Sequence, residues 1–223
     1  MIRRNRLYEK KEPSRDAQKV YILCEGDDRE YNYFLFFQKM SSNLQLVVIP
    51  PSDGKSDPEK LMEAAREKFL VEDSKIQLDQ LEKDLVWFVI DTDTWQEEGK
   101  IAALKDFCST QNQKCNYSMW NVAQSNPCFE TWLYYHIYDE RPDDNEVASY
   151  PSMKAFVDAK IVGGFNSLVH PVFIEDAIKH SAENYSEDKE GYPEAYATQV
   201  FNLGRVIVKY AGTELRIKSR TLR

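Results

Sequence analysis

Two short apolar runs along the chain each end in acidic residues. The first is Val20–Cys24, followed by Glu25-Gly26, and the second is Leu85–Ile90, followed by Asp91-Thr92-Asp93. Neither run alternates between apolar and polar positions, so both predict strands that are buried on two faces, as in the middle of a parallel sheet. In open α/β sheets, ligands collect at the carboxyl ends of the strands. The pattern therefore favours one site for acids that lie more than sixty positions apart in the chain.

The rest of the hydrophobic pattern predicts strands that alternate with helices, followed by helices alone. Two further strands are predicted at Leu44–Ile49 and Tyr117–Val122. The predicted helices are Arg29–Met40, one starting at Pro58, one after Gly99-Lys100, Asn126–Tyr138, and residues 151–160, 172–184 and 194–210. This order is typical of an α/β fold. We expect a Rossmann-like core with a central, mainly parallel sheet flanked by helices, and a C-terminal helical extension.

The same pattern divides the chain into three parts. Residues 1–18 are charged and show no periodicity, which predicts a basic N-terminal arm. Residues 19–138 contain all the predicted strands and form the expected core, and residues 139–223 form the helical extension.

Composition places the chain among ordinary globular proteins. It has 223 residues, of which 42% are hydrophobic and 30% charged, enough to bury a real core. No apolar run approaches the roughly 18 residues of a membrane span, and no secretory signal is visible. Its four cysteines lack paired zinc spacing, so free thiols in a reducing cytoplasm are expected.

The charge of the chain is unevenly distributed. Residues 1–19 carry a balance of +4 and residues 205–223 a balance of +5, which leaves −17 for the middle of a chain whose net charge is −8. Basic ends on an acidic body could gather phosphates beside a carboxylate site. Equally, exposed termini are often rich in Lys and Arg for no specific purpose.

The acids at the strand ends have the chemistry of a magnesium site. Magnesium binds oxygen ligands in near-octahedral geometry and usually keeps several waters. Alternate strand residues point to the same face, so Asp91 and Asp93 can share one side and join Glu25 around one Mg²⁺ or Mn²⁺. Open metal positions would take a phosphate oxygen and a water. Acids also end strands and cap helices in proteins without such a site, and that alternative remains open.

The segment Ser125–Leu133 is a second candidate. Ser125 and Asn126 are explained as caps of the predicted helix, and Glu130 suits the dipole of its first turn. Functionally, Glu130 could be a further metal ligand or a base that orients water. His136 lies among Trp and Tyr residues, where a packed side chain is a commoner outcome than a catalyst.

These motifs resemble the RloB-like family. The resemblance covers most of the chain and is carried by ILCEGDDREYNYF at 22–34, VIDTDTW at 89–95, SNPCFETWL at 125–133 and YPEAYATQVFNL at 192–203. Glu25-Gly26 and Asp91-Thr92-Asp93 also resemble the Toprim domain. One departure is Arg29, which stands where the family pattern has Thr before the acid at position 30.

The resemblance implies more than the residues do alone. Toprim domains use the Glu as general acid/base and the Asp pair to hold Mg²⁺, in strand-breaking enzymes and primases. This carries the catalytic role to Glu25, Asp91 and Asp93, while Glu30 and Glu130 match family motifs. RloB-like proteins are similar to the Toprim nuclease halves of anti-phage defence systems. They are typically encoded beside RloA, an ABC/SMC-like ATPase.

Three functions follow as hypotheses. The first is a Mg²⁺-dependent nuclease that cleaves DNA or RNA as the effector of such a system. The second is a scaffold without catalysis, which docks on an ABC-type ATPase and uses its carboxylates only to stabilise turns. The third is a primase-like nucleotidyl transferase. For a shared cation, the Glu25 and Asp91 side chains must lie close together, and crowding should raise at least one of their pKa values.

Overall fold

The computed structural model describes residues 10–51 and 57–222. Its centre is a sheet of four parallel strands in the order β2-β1-β3-β4. The strands are β1 (Gln18–Cys24), β2 (Leu44–Ile49), β3 (Leu85–Asp91) and β4 (Trp120–Ser125). The predicted α/β class is confirmed, and the sheet is parallel throughout.

The two acid-terminated runs are neighbours in the middle of this sheet. β1 pairs directly with β3, so that Val20 lies opposite Leu85 and Cys24 opposite Val89. Both strands are covered on two faces because alternate residues enter different apolar cores. Ile22 and Val89 belong to the larger core, and Leu23 and Phe88 to the smaller. Uninterrupted apolar sequence is what such a position requires.

Helices cover both faces of the sheet. The helices are α1 (Arg29–Leu35), α2 (Pro58–Ala65), α3 (Lys100–Asn112), α4 (Glu130–Tyr134), α5 (Asp144–Ala148), α6 (Met153–Lys160), α7 (Ile174–Glu183) and α8 (Val200–Leu222). A π-helical turn, Arg66–Leu70, follows α2, and a 3₁₀ turn, His170–Phe173, precedes α7. Residues of α2 and α3 contribute to the smaller core, and those of α1, α4, α6, α7 and α8 to the larger one.

Several predicted boundaries were wrong. α1 ends at Leu35 rather than Met40, and Lys39 adopts a positive φ of 62° where the chain turns back towards β2. β4 begins at Trp120 rather than Tyr117, because the Asn112 side chain binds both backbone groups of Trp120 and fixes the start of the strand. The extension that follows residue 138 also contains the short helix α5, which was not predicted.

α8 runs antiparallel to the strands and carries the basic C-terminal residues away from their carboxyl ends. It begins where Val200 N–H donates to Thr198 Oγ1, near the end of β4, and Tyr210 Oη later donates to Gln18 at the start of β1. Lys11 pairs with Glu214 at 2.9 Å at that same end. Lys11 and the later part of α8 therefore lie at the amino edge of the sheet, away from the acids. Because residues 1–9 lie outside the described residues, the gathering of phosphates by the basic ends stays a hypothesis.

The structure covers only part of the predicted N-terminal arm. Residues 1–9 of the predicted arm lie outside the described residues. Residues 11 and 14 donate backbone hydrogen bonds to Lys39 and Ser42. The division into arm, core and extension stays a prediction. No helix among the described residues is long and apolar enough to cross a membrane.

Candidate metal and phosphate site

A cleft of about 520 Å³ opens at the carboxyl ends of β1 and β3. Its charged lining consists of seven acidic residues and two basic ones: Glu25, Asp27, Asp28, Glu30, Asp91, Asp93, Glu130, Arg29 and Lys154. The pairing of β1 with β3 brings Glu25 and Asp91 together. Glu25 N–H donates to Val89 O and so continues the hydrogen bonding between the two strands next to Asp91. All the acids predicted for the site line this one cleft.

Glu25 is held by two hydrogen bonds. Its Oε2 accepts from the Asp91 backbone N–H at 3.0 Å, and its Oε1 accepts from Trp95 Nε1 at 2.8 Å. Burial raises the pKa of Glu25 to about 7 despite these two bonds, and the charges of Asp93 and Glu30 act in the same direction. In the metal-free protein this carboxyl can therefore exist in both protonation states at neutral pH.

Asp91 is the most deeply embedded of the predicted metal ligands. It ends β3, is 7% exposed, and its Oδ1 accepts from the Phe129 backbone N–H at 2.8 Å. Its pKa is raised well above the ordinary value, chiefly by burial and then by the charges of Glu30, Glu25 and Glu130. The raised pKa expected from crowded acids is present, although loss of water around the carboxyl is the largest cause.

The turn after Asp91 is fixed by backbone contacts. Thr92 N–H donates to both Ser125 O and Pro127 O, and Thr92 Oγ1 donates to Ser125 O. Asp93 follows with a positive φ of 34° and an exposed side chain that lines the cleft. The Asp-Thr-Asp sequence thus supplies one buried and one exposed carboxylate to the same cavity.

Glu130 is buried with only half of its carboxylate satisfied. It is the first residue of α4 and is 2% exposed. Its Oε1 pairs with Arg29 Nη1 at 3.0 Å, whereas Oε2 has no hydrogen-bond partner in the described part of the chain. A buried carboxylate oxygen without a partner is costly, so this atom is a natural place for a cation.

The caps predicted for this helix were wrong. α4 begins at Glu130 with Phe129 as its N-cap residue, and it is shorter than predicted. Asn126 instead donates from its side chain to Pro193 O, and Ser125 shares a hydrogen bond with Thr198. These contacts tie the end of β4 to the 192–203 segment, a role that local sequence signals for helix capping could not reveal.

Glu30 adds a further buried carboxylate. Its pKa is raised by burial and by Glu130, although Lys154 and Arg29 oppose the shift. Gly26 makes room for it, because a Cβ at Gly26 would lie 2.7 Å from Glu30 Cδ. Glycine at this position therefore lets the backbone approach the acid closely.

Two basic side chains and one tryptophan in the site were not assigned a role by sequence reasoning. Arg29 was noted only as a departure from the family pattern, and Lys154 lies on α6 in the predicted extension. The pKa of Lys154 is raised because Glu130 and Asp91 outweigh the effect of burial. Trp95 is the last residue of the VIDTDTW segment, and only its place in that segment pointed to the site. Its ring N–H donates to Glu25.

His136 is a core residue. It is 4% exposed and lies between Tyr33 Oη and Trp132 O, each 3.1 Å from a ring nitrogen. Burial lowers its pKa to about 3, so the ring is neutral. Its contacts agree with the expectation of a packed histidine.

The donor set suits a hard divalent cation, since every candidate ligand is a carboxylate oxygen. The unpartnered Glu130 Oε2 and the mutual repulsion of the acids both fit such an ion. Across the described ranges, however, no three His, Cys, Asp or Glu side chains are already arranged to hold a metal. One reason is that both oxygens of Glu25 are turned towards N–H donors, so binding requires side-chain adjustment.

Comparison with known proteins gives a family but no characterised relative. The family model described as RloB-like protein matches residues 20–205, which includes all the acids of the cleft. Searches of curated proteins and of solved structures each gave no significant match.

Proposed function

The chain belongs to the RloB-like family, and from that premise we propose that it is a metal-dependent nuclease of the Toprim type. It would cleave phosphodiester bonds of nucleic acid with Mg²⁺, which Mn²⁺ can replace. The proposal is carried by one observation, the meeting of Glu25, Asp91, Asp93 and Glu130 in a single cleft at the carboxyl ends of two central strands.

The cation would be held by Asp91 and Asp93, with the unpartnered oxygen of Glu130 as a further ligand, and Glu25 would join them when its carboxyl turns away from its two N–H donors. When bound, such an ion lowers the pKa of a water and offsets charge on the scissile phosphate. Asp91 is fixed by a buried backbone hydrogen bond, and Glu130 is the buried first residue of α4, which favours a preorganised site. Asp93 is exposed and free to adjust.

Glu25 is the proposed general acid/base. This role belongs to Glu25 while its carboxyl is not bound to the cation, because Trp95 and the Asp91 backbone then hold both of its oxygens. Without a cation on this carboxyl its pKa is about 7, close to neutral pH, which suits proton transfer. Lys154, which the acids keep charged, would help to offset the charge of an incoming phosphate.

We further propose that the protein acts as the effector of an anti-phage system together with an RloA-type ATPase of the ABC/SMC-like kind. This part rests on family membership. A nuclease that is active in the cell without restraint would be harmful, so activity tests should include the ATPase partner.

Cation binding is the first test. Thermal unfolding of the wild type should shift to higher temperature with Mg²⁺ or Mn²⁺, because an ion that binds only the folded state stabilises it. Glu25→Gln and Asp91→Asn should lose most of this shift. Glu175→Gln is the matched control. It breaks an ion pair between Glu175 on α7 and Arg216 on α8, and it should keep the full thermal shift.

Cleavage is the second test, with plasmid DNA, single-stranded DNA and tRNA, with and without the ATPase. The wild type should cut at least one substrate in Mg²⁺ or Mn²⁺, and both site variants should be at least 10²-fold slower. Equal cutting by wild type and variants would rule the site out. No cation response and no cutting by the complex would favour the scaffold function.

A further inference from the structure

Arg29 lies between two cavities. It begins α1 and lines the acidic cleft, and it also lines a second cavity of about 240 Å³ whose wall includes Asp158, Gly164, Phe165 and Ser167. Asp28 and Arg29 are the two residues that border both spaces. A chain of phosphates that enters one cavity from the other would therefore pass the guanidinium.

The guanidinium is divided between two carboxylates of different character. Nη1 pairs with Glu130 Oε1 at 3.0 Å, and Nη2 pairs with Asp158 Oδ2 at 2.8 Å. The Glu130 side chain is buried, whereas the side chains of Arg29 and Asp158 are 37% and 48% exposed. The outer pair can persist without the inner one, because Asp158 lies on a different helix and faces solvent.

Glu130 is where two cations would compete. Its one satisfied oxygen is neutralised by Arg29, and its other oxygen is buried and unpartnered. A divalent ion bound to this buried carboxylate would lie beside a guanidinium of like charge, and burial of the carboxylate weakens the screening of their repulsion by water. Either the ion binds weakly or Arg29 moves away.

We propose that Arg29 is a phosphate-binding residue that is stored on Glu130 in the metal-free protein and released towards Asp158 and the second cavity when a divalent cation binds. This inference rests on the proposed function, since it assumes that the cation binds in the acidic cleft. The released guanidinium keeps Asp158 as its anchor and presents free N–H donors. A planar guanidinium suits bidentate binding of phosphate oxygens, which a lysine cannot reproduce.

This order of binding would prevent firm binding of nucleic acid before the cation is present. Without a cation, Arg29 neutralises Glu130 and is not available to a phosphate. With a cation, the site gains the ion and the arginine together, so nucleic acid is held firmly only when the site is loaded. Cation binding and phosphate binding are then mutually strengthening.

Mn²⁺ titration by calorimetry tests the competition directly, without any activity. Arg29→Gln should bind Mn²⁺ about tenfold more tightly than the wild type, because contacting charged groups are coupled to roughly this extent. Arg29→Lys keeps the charge and should bind Mn²⁺ within about threefold of the wild type. Arg216→Gln breaks a 2.8 Å arginine–glutamate pair elsewhere and should leave the affinity unchanged.

Phosphate binding is tested with fluorescent single-stranded oligonucleotides, as DNA and as RNA, in Ca²⁺ to prevent cleavage. Arg29→Gln should weaken binding about tenfold in Ca²⁺ and have little effect in EDTA, where the wild-type arginine is held by Glu130. Arg29→Lys should also bind weakly, because it lacks the planar fork. If Arg29→Gln is less stable, its larger gain in melting temperature with Mn²⁺ replaces the titration as the measure of competition.

The outcomes separate this inference from the proposed function. Suppose that the wild type binds Mn²⁺, that Glu25→Gln does not, and that Arg29→Gln binds Mn²⁺ no more tightly than the wild type does. Arg29 then only forms a structural ion pair, and the inference is wrong. Unchanged oligonucleotide binding in Arg29→Gln would overturn it as well. A wild type that binds neither Mn²⁺ nor oligonucleotide would overturn the proposed function, and the inference with it.

Discussion

Strand β3 has a buried aspartate at each end, and the two aspartates differ in their hydrogen-bond partners and in the charges around them. Asp84 immediately precedes the strand at its amino end, and Asp91 is its last residue at the carboxyl end. Burial raises the pKa of both carboxyls. One is nevertheless part of the scaffold, and the other belongs to the candidate site.

Asp84 has partners that stabilise its charge. Its Oδ2 accepts from Asp79 N–H at 3.0 Å and lies 4.0 Å from Lys19 Nζ. Its other side-chain oxygen has no partner in the described residues, as is also true of Glu130. An unpartnered oxygen alone therefore does not mark a functional site.

Asp91 is surrounded by other acids. The groups that raise its pKa after burial are Glu30, Glu25 and Glu130, and all of them line the same cleft. Acidic neighbours raise the pKa at both ends of the strand, but those of Asp91 line one open cleft together with it. The repulsion is a cost in the free protein that a bound cation would remove.

The largest expected difference between the two ends is in activity. Asp91→Asn should reduce metal-dependent cleavage about 10³-fold, equivalent to about 4 kcal/mol of transition-state stabilisation, and should remove the Mn²⁺-induced rise in melting temperature. Asp84→Asn should leave both within about threefold of the wild type. Cleavage rates and thermal shifts measured side by side check this, and a matching loss in Asp84→Asn would erase the comparison.

The second difference is in stability, with the opposite ranking. Asp84→Ala should lower the free energy of unfolding by about 2 kcal/mol, because the partly buried Asp79 N–H loses its side-chain acceptor. Asp91→Ala should change it by less than about 1 kcal/mol, since relief of repulsion offsets the lost bond to Phe129 N–H. Urea denaturation in EDTA measures both. A larger loss in Asp91→Ala would mean that the acids of the cleft stabilise the fold.

A third prediction concerns the pH dependence of Glu25. Its pKa is raised from 4.5 to about 7 in the folded protein, so the folded state favours the protonated form. Its contribution to stability is complete below about pH 4.5 and is lost as the pH rises through about 7. In EDTA, Glu25→Gln should therefore gain about 1–3 kcal/mol relative to the wild type between pH 5 and pH 8.

Urea denaturation at the two pH values is the measurement for Glu25. Glu175→Gln serves as the control and should show no such change, because its carboxyl belongs to an exposed ion pair. A difference between wild type and Glu25→Gln that does not vary with pH would contradict the raised pKa.

The smallest effects are expected from the lysine at each end. Lys19→Gln should lower stability by less than about 1 kcal/mol and leave Mn²⁺ affinity unchanged, because Lys19 is partly exposed and 4.0 Å from Asp84. Lys154→Gln should tighten Mn²⁺ binding a few-fold, since it removes a positive charge from the cleft. Calorimetry compares the two, and equal Mn²⁺ affinities would show that Lys154 is remote from the cation.

Local sequence was a good guide where burial leaves few alternatives. β2 was predicted with its observed bounds, and β1 and β3 were predicted to within two residues. For β1 and β3 the reason is that an uninterrupted apolar run suits the centre of a parallel sheet. The prediction failed where side chains from elsewhere decide the outcome. Asn126 looks like a helix cap, yet its amide is taken by Pro193, which is distant in the chain.

The site shows the same division. Glu25, Asp91 and Asp93 could be named because each follows a strand, and the edge where strands end is shared. Glu130 was named from its segment, but nothing local indicates that half of its carboxylate is left unpartnered or that Arg29 takes the other half. Lys154 reaches the cleft only because α6 packs nearby, and its own segment contains no signal for this.

The sequence by itself determined which strands are central and which acids lie at their ends, because the alternation of buried faces and the ends of apolar runs are local properties. Only the tertiary structure decided the balance of charge around those acids. That balance depends on which cations and N–H donors other helices bring within a few ångströms, and on how much water they exclude. Both are sums over contacts between residues far apart in the chain.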